Sequence, residues 1–153
     1  MKILLCIAFA AMAPLTAAAT EAPGADSPLE AWQADPTAVL DARDVNLDDF
    51  KWLARPVVVF ADTPADPRFK EQMNLLAERP EQLVERDVVI LTDTDPTAES
   101  AARERLRPRG FMLVVMGKDG ALAFRKPTPR DVREISRSID KMPMRQEEMR
   151  ENK

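Results

Sequence analysis

Three runs of consecutive apolar residues constrain the fold of this 153-residue chain more than any other feature. They are Val57–Ala61, Val88–Leu91 and Phe111–Met116, and β-branched side chains are frequent in them. Such runs are typical of strands that are buried on both faces of a sheet. A fourth run, Ala121–Phe124, follows the third across Gly117–Gly120, where Asp-Gly between apolar runs is a strong hairpin signal.

Helical patterns separate the first three runs. Asp66–Pro67 is typical of an N-cap followed by proline at the first helical position, and Asp95–Pro96 repeats the pattern. Pro80 should break or kink the first helix, because proline lacks the N–H that a helix interior needs. We expect the second helix to run from Asp95–Pro96 to about Leu106.

A last helix is expected after the hairpin. Thr128–Pro129 predicts its start, with Thr128 and Asp131 resembling a capping box. Val132 and Ile135 begin an apolar stripe along one helix face. The residues from Met144 onward are polar and charged, and we expect them to fray.

The element order is therefore β-α-β-α-β-β-α. The first two strands should be parallel with a right-handed crossover, and the last two should form an antiparallel hairpin. This predicts an α/β three-layer sandwich, with a central mixed sheet of about four strands and flanking helices. It is a thioredoxin-like arrangement.

The N-terminus has the pattern of a cleaved signal peptide over residues 1–19. A short positive start at Lys2 is followed by the uncharged run Ile3–Ala13 and by small residues before Thr20. The run is too short for a spanning helix, which favours cleavage over a retained anchor. We therefore expect a periplasmic or secreted protein with no stable membrane span after cleavage. Residues 20–45 predict a flexible lead-in, which Leu29 and Trp32 would pin to a domain over residues 46–150.

Composition removes most familiar catalytic chemistry. The chain has no histidine, and its one cysteine, Cys6, leaves with the predicted leader. Thiol chemistry, imidazole base catalysis and His/Cys metal sites are then absent, so we expect neither a disulfide oxidoreductase nor a cysteine peroxidase. The net charge of −4 becomes one unit more acidic without Lys2, which argues against nucleic acid as a partner.

Several segments carry a family resemblance by their order and spacing: Lys51–Trp52, Arg55–Ala61, Asp66–Arg68, Glu85–Val89, Gly117–Gly120 and Ile139–Arg145. Through them the chain resembles the DUF4174 family, from about residue 46 to about residue 150. The resemblance implies a fold similar to thioredoxins and peroxiredoxins. It implies no catalytic residues and no cofactor, because no molecular activity is established for the family.

The resemblance also shows where this chain departs from redox relatives. Thioredoxins place a C-x-x-C pair at the helix start after the first core strand, where the helix N-terminus stabilises a thiolate. The matching stretch here is about Pro64–Pro67, with prolines near both cysteine positions. The proline that precedes the third strand of thioredoxins is displaced or absent in Pro108–Phe111.

Four aspartates follow the first two buried runs: Asp62, Asp66, Asp93 and Asp95. Ligands of open α/β sheets bind outside the carboxyl ends of strands, and carboxylate oxygens suit Mg²⁺ or Ca²⁺. An enzyme that uses this cluster with a hard metal is therefore the alternative function. The competing interpretation makes Asp66 and Asp95 helix caps only, and it is the stronger one.

Four arginines precede the third run: Arg103, Arg105, Arg107 and Arg109. In the expected fold their loop lies near the lost redox position, where arginines bind carboxylates or phosphates well. The competing interpretation is a solvated helix end. Asp62, Asp66, Asp93, Arg107 and Arg109 are our candidate ligand-binding residues.

Two further features are assigned to packing. Met142, Met144 and Met149 suit an adaptable contact surface, although core packing is the favoured interpretation. We expect Trp52 to be buried. The overall prediction is an exported, non-catalytic binding or interaction module, whose partner is another periplasmic or envelope protein.

Overall fold

The computed structural model describes residues 27–152, so the predicted leader, Cys6 and the first part of the lead-in lie outside the described residues. The helices are α1 (Pro28–Ala34), α2 (Pro67–Ala77), α3 (Pro80–Val84), α4 (Ala101–Leu106), α5 (Val132–Asp140) and α6 (Pro143–Glu151). The strands are β1 (Val39–Asp41), β2 (Arg55–Phe60), β3 (Val88–Asp93), β4 (Met112–Met116) and β5 (Leu122–Lys126).

The strands form one five-stranded mixed sheet in the order β1-β3-β2-β4-β5. β2 and β3 are parallel, β4 is antiparallel to β2, and β5 is antiparallel to β4. The predicted α/β class and its mixed sheet are confirmed. The strand count is one higher than expected, because the short β1 pairs in parallel with the outer side of β3.

Two apolar layers cover the sheet, one on each face. Along β2, Val58 and Phe60 face a layer that includes α1 and α4, whereas Val57 and Val59 face a layer that includes α2 and α5. This alternation follows from the period of two in a strand. Because both faces are covered, β2 is buried along its whole length, as its continuous apolar sequence predicts.

The described part of the predicted flexible lead-in has regular structure. Ser27 and Glu30 form a capping box at the start of α1, and β1 follows at the sheet edge. Trp32 is buried, and its indole N–H donates a 3.1 Å hydrogen bond to the carbonyl of Val88. The ring of Phe50 meets it edge-on, with 6.3 Å between centroids. These contacts are those expected of a residue that pins this segment to the domain. The helix and strand of residues 27–45 differ from the flexible lead-in that the composition predicts.

Two predicted helix starts are displaced. Asp66 caps α2 as expected. Asp95 caps only the 3₁₀ turn Pro96–Ala98, and α4 begins later with Ser100 as its N-cap. The last predicted helix begins after Asp131 rather than at Thr128, because the Asp131 carboxylate accepts the Glu134 N–H at 2.8 Å.

The polar C-terminal segment forms helix α6 instead of fraying. Glu148 accepts hydrogen bonds from Arg55 at 2.8 Å, and its carboxylate lies 3.0 Å from the ammonium of Lys118. Arg145 is buried and also pairs with Glu148. Ion pairs therefore hold α6 against the rest of the domain, although this helix has no strong apolar stripe. For that reason hydrophobic periodicity in the sequence does not predict α6.

Trp52 is 64% exposed, so its expected burial is wrong. Its backbone has a positive φ of 66°, and its N–H donates to the carbonyl of Lys118 at 2.7 Å. This tight link to the β4–β5 turn directs the chain into β2 and leaves the indole at the surface.

Candidate functional site

A closed polar cluster lies at the carboxyl ends of β2 and β3, where ligands of α/β sheets usually bind. Asp93 ends β3, and its side chain has no exposed surface. One carboxylate oxygen accepts a hydrogen bond from the guanidinium Nε of Arg103 at 2.9 Å and another from the backbone N–H of Asp95 at 3.1 Å. The other accepts the hydroxyl of Ser100 at 2.5 Å. We call Asp93, Ser100 and Arg103 the strand-end cluster.

Arg103 fills the space beyond the strand ends. Its Nη2 donates to the carbonyl of Ala61 at 2.6 Å and to that of Asp93 at 3.1 Å, so one side chain joins the ends of both strands. Its guanidinium lies 5.4 Å from the centroid of the Phe60 ring. The sequence pattern groups Arg103 with a basic loop and does not indicate this role. The only available signal was an arginine ten residues after an aspartate that ends a strand.

The start of α2 is an ordinary proline-containing helix start. Asp66 accepts the N–H of Arg68 at 2.8 Å, and Pro67 occupies the first helical position. Partial desolvation raises the pKa of Asp66, but hydrogen bonds from Arg68 outweigh it and hold the pKa below its usual value. The carboxylate is thus engaged in capping. The Arg68 guanidinium lies 5.5 Å from the ring of Phe111, which joins this helix start to the loop before β4.

Asp62, Arg107 and Arg109 are exposed at the surface. A Cβ built on Gly110 would lie 3.9 Å from the Asp62 carboxylate, so the part of the loop next to Arg109 adjoins Asp62. Arg107 ends α4 in the left-handed conformation, with φ of 47°. Both arginines are exposed, and neither makes a side-chain hydrogen bond or ion pair within residues 27–152. Of the five candidate residues, Asp62 adjoins the loop segment of Arg109, Arg107 is exposed at the end of α4, Asp66 caps α2, and Asp93 is buried.

The four aspartates do not converge. Asp93 is engaged by Arg103 and Ser100, Asp66 caps α2, and Asp95 accepts the N–H of Thr97 at 3.0 Å. Across the described residues, no group of three or more carboxylate, imidazole or thiol side chains is placed to hold a metal ion. The alternative of a hard-metal enzyme therefore has no ligand set in this part of the chain.

Two concavities of the described surface lie elsewhere. One of about 360 Å³ is lined by the β4–β5 turn, by Leu122 and by residues at the start of α6. Met142 and Met144 line it, and Met142 also packs against the core layer that contains α5. A second, of about 270 Å³, lies between β5 and α5. Neither is lined by Pro64–Pro67, Asp93 or Arg109.

The helices of residues 27–152 include none with the length and apolar character that a bilayer span requires.

Comparison with known proteins identifies a family and a fold. A family model described as a domain of unknown function, DUF4174, matches residues 46–148. None of the curated proteins matches the chain. Among solved structures, the reduced 2-Cys peroxiredoxin of Plasmodium vivax aligns with a TM-score of 0.55 and 14% identity, covering 67% of this chain and 85% of that one.

A second solved structure shows the same similarity in fold. The Prx1a of Plasmodium yoelii, modified at its N-terminus and forming an artifactual octamer, aligns with a TM-score of 0.52 and 17% identity. The alignment covers 67% of this chain and 81% of that one. At these identities the likeness shows a thioredoxin-like fold and carries no activity.

Proposed function

The chain belongs to the DUF4174 family, and from that premise we propose that it is an exported binding module that uses a thioredoxin-like fold without thiol redox chemistry. The start of α2 is the observation that carries the proposal. Where redox relatives place reactive thiols, this chain has Pro64 and Pro67, and Asp66 between them is engaged as a helix cap. Its one cysteine, Cys6, belongs to the predicted leader.

The proposed contact surface consists of Asp62, Arg107 and Arg109. Exposed guanidinium groups without internal partners recognise carboxylates and phosphates through paired hydrogen bonds. The expected partner is a periplasmic or envelope protein that presents an acidic group.

Export is part of the proposal, and it rests on the leader pattern of residues 1–19. Expression of the full chain in a Gram-negative host, followed by cell fractionation and intact-mass analysis, tests it. A periplasmic product that lacks about 19 residues supports export. An uncleaved product in the cytoplasm contradicts it.

The binding role is tested by capture from a periplasmic extract with the purified mature protein. We expect a partner that is retained by the wild type and lost with the double variant R107E/R109E. The matched control is R133E/R150E, which reverses two exposed arginines on α5 and α6 and should retain the partner. Equal loss of the partner in both double variants would show that capture depends on overall charge and not on Arg107 and Arg109, and would contradict the proposal.

The absence of redox chemistry is tested separately, with the same mature protein in insulin-disulfide reduction and peroxide-consumption assays. Both rates should equal the buffer rate, because no thiol remains to attack a disulfide or a peroxide. Reductase or peroxidase activity in a protein of verified mature mass would overturn the proposal.

A further inference from the structure

The concavity between β5 and α5 has a basic lining, although the protein as a whole is acidic. We call it the β5–α5 cavity. It has a volume of about 270 Å³, and its wall contains four cationic side chains and one carboxylate. The cations are Lys126, Arg130, Arg137 and Lys141, and the carboxylate is Glu134. The chain as a whole carries a net charge of −4, so this concentration of positive charge runs against the overall balance.

Most of these cations are not paired with a carboxylate of the described residues. Glu134 pairs with Arg130 at 3.1 Å. Within the described residues, Lys126, Arg137 and Lys141 make no ion pair. A concave surface lined by one sign of charge focuses its field and raises the local concentration of counter-ions. The cavity is therefore positioned to attract an anion.

Arg130 is held in place by a buried side chain. Gln72 on α2 has no exposed surface, and its amide N–H donates to the Arg130 carbonyl while its amide oxygen accepts the Arg130 N–H, each at 2.9 Å. A buried glutamine is costly unless its polar atoms are paired, and here both are paired to one residue. This clamp fixes the backbone that carries Arg130 at the cavity wall.

The Arg130 side chain is accessible at the cavity wall, because it is 34% exposed. Its Nε is shielded from solvent and finds no hydrogen-bond partner among the described residues, so contact with a ligand would come from the terminal nitrogens. Phe124 and Ile135 supply an apolar part of the same wall. The cavity thus combines positive charge, an arginine on a fixed backbone and an apolar surface, at a volume that suits a small ligand.

We propose that the β5–α5 cavity binds a phosphate monoester, whose phosphate lies among Arg130, Arg137 and Lys141 and whose organic part contacts Phe124. A dianionic phosphate matches the surplus of cations better than a monoanionic carboxylate, and guanidinium groups suit its oxygens. The inference rests on the proposed function only in assigning a binding role, because it uses a different surface. Soluble esters and phosphorylated lipid headgroups share this chemistry.

The test is isothermal titration of the mature protein at low salt with phenyl phosphate, inorganic phosphate and acetate. We expect phenyl phosphate to bind most tightly and acetate most weakly. The double variant R137Q/K141Q should weaken phenyl phosphate binding about tenfold or more, since each lost charge-assisted contact is large. The control R133Q/R150Q removes the same amount of charge at two exposed arginines, on α5 and α6, that do not line the cavity, and it should change binding by less than about twofold.

A second arm identifies the source of the phosphate. Vesicles that contain phosphatidic acid, compared with pure phosphatidylcholine vesicles, should bind in the same R137Q/K141Q-dependent way if a lipid headgroup fits the cavity. Binding of phenyl phosphate alone assigns a soluble ester. Absence of both, equal affinity for acetate, or equal losses in the two double variants would overturn the inference. Partner capture through Arg107 and Arg109 is unaffected by any of these outcomes, so the two proposals fail separately.

Discussion

The carboxyl ends of β2 and β3 and the β5–α5 cavity are both rich in arginine, but they use its charge in opposite ways. At the strand ends, Arg103 is surrounded by the Asp93 carboxylate and two backbone carbonyls. In the cavity, three cations have no ion-pair partner within residues 27–152. One region pairs its charge internally, and the other leaves it available.

The difference separates structural arginines from binding arginines. A buried pair stabilises the fold only while both partners remain, because the loss of one leaves an uncompensated charge. An exposed cation contributes little to stability, so its removal leaves the fold intact. The Asp93 end of the sheet, where ligands bind in related α/β folds, has thus become part of the core here, and the β5–α5 cavity has its unpaired cations on the opposite face of the sheet from α4.

The largest effect is expected from Asp93→Asn. It leaves the Arg103 guanidinium, with its side chain 10% exposed, without a countercharge at the end of the sheet. We expect a loss of about 3–5 kcal/mol in the free energy of unfolding, and a fall in Tm on the order of 10 °C. Urea denaturation measures the first and calorimetry the second.

Asp62→Asn is the control for that substitution, because the same change of chemistry falls on an exposed residue at the end of the neighbouring strand. It should shift stability by less than about 0.5 kcal/mol. A small effect at Asp93 would show that the strand-end cluster is not structural, and the site would again be a candidate for ligand binding.

Acid should release helix α6. Partial burial raises the pKa of Glu148, but hydrogen bonds from Arg55 and Lys118 outweigh it and lower the pKa to about 2. The folded pKa therefore lies below the unfolded value of 4.5. Its contribution to stability is complete above about pH 5 and is lost as the pH falls toward 2, up to about 3 kcal/mol.

The pH dependence of Tm measures this contribution. Glu148→Gln should lower Tm at neutral pH and flatten its fall between about pH 5 and pH 2. Glu151→Gln, an exposed substitution on the same helix, should retain the wild-type profile. Identical profiles for Glu148→Gln and wild type would show that α6 is held by something other than this carboxylate.

A smaller effect on stability is expected from Gln72→Leu, which links the core to the β5–α5 cavity. The substitution leaves the N–H and carbonyl of Arg130 without their partner, at a cost of about 1–3 kcal/mol. Because Arg130 loses its fixed backbone, phenyl phosphate affinity should fall as well. Leu76→Ala, in the same helix and equally buried, should lower stability without lowering that affinity in the folded protein. Equal losses of phenyl phosphate affinity in Gln72→Leu and Leu76→Ala would contradict a positioning role for Gln72.

Sequence patterns predicted the parts of this fold that depend on apolar periodicity and local capping. β2, β3 and β4 coincide with continuous apolar runs, and Asp66 caps the helix that its Asp-Pro pair indicates. They missed α6, because its docking depends on Glu148 meeting Arg55, 93 residues away in the chain. They missed the exposure of Trp52 for a similar reason, since the positive φ at that residue comes from a link to Lys118 in the distant hairpin.

The candidate site was predicted in the same uneven way. The loop before β4 was expected near the start of α2, and its last residues, Gly110 and Phe111, adjoin Asp62 and Arg68 there. Asp93 was grouped with the surface aspartates because a sequence does not show that Arg103 folds back over it. The β5–α5 cavity was missed, since its cations come from β5, from α5 and its C-cap, and from the loop between them, and only the fold shows that these elements form one wall.

The smallest effect on stability is expected from R137Q/K141Q, and it is the sharpest test of the comparison. If these two charges serve only a ligand, the free energy of unfolding should change by less than about 0.5 kcal/mol without phosphate. The free energy of unfolding of the variant should rise slightly above that of the wild type if the four cations of the wall repel one another. Wild type should then gain stability when phenyl phosphate is added, and the variant should not, because a ligand stabilises only the state that binds it. Paired thermal melts with and without phenyl phosphate measure both quantities. A variant that is destabilised without ligand would place these charges with Arg103 as structural groups, and the contrast between the two regions would disappear.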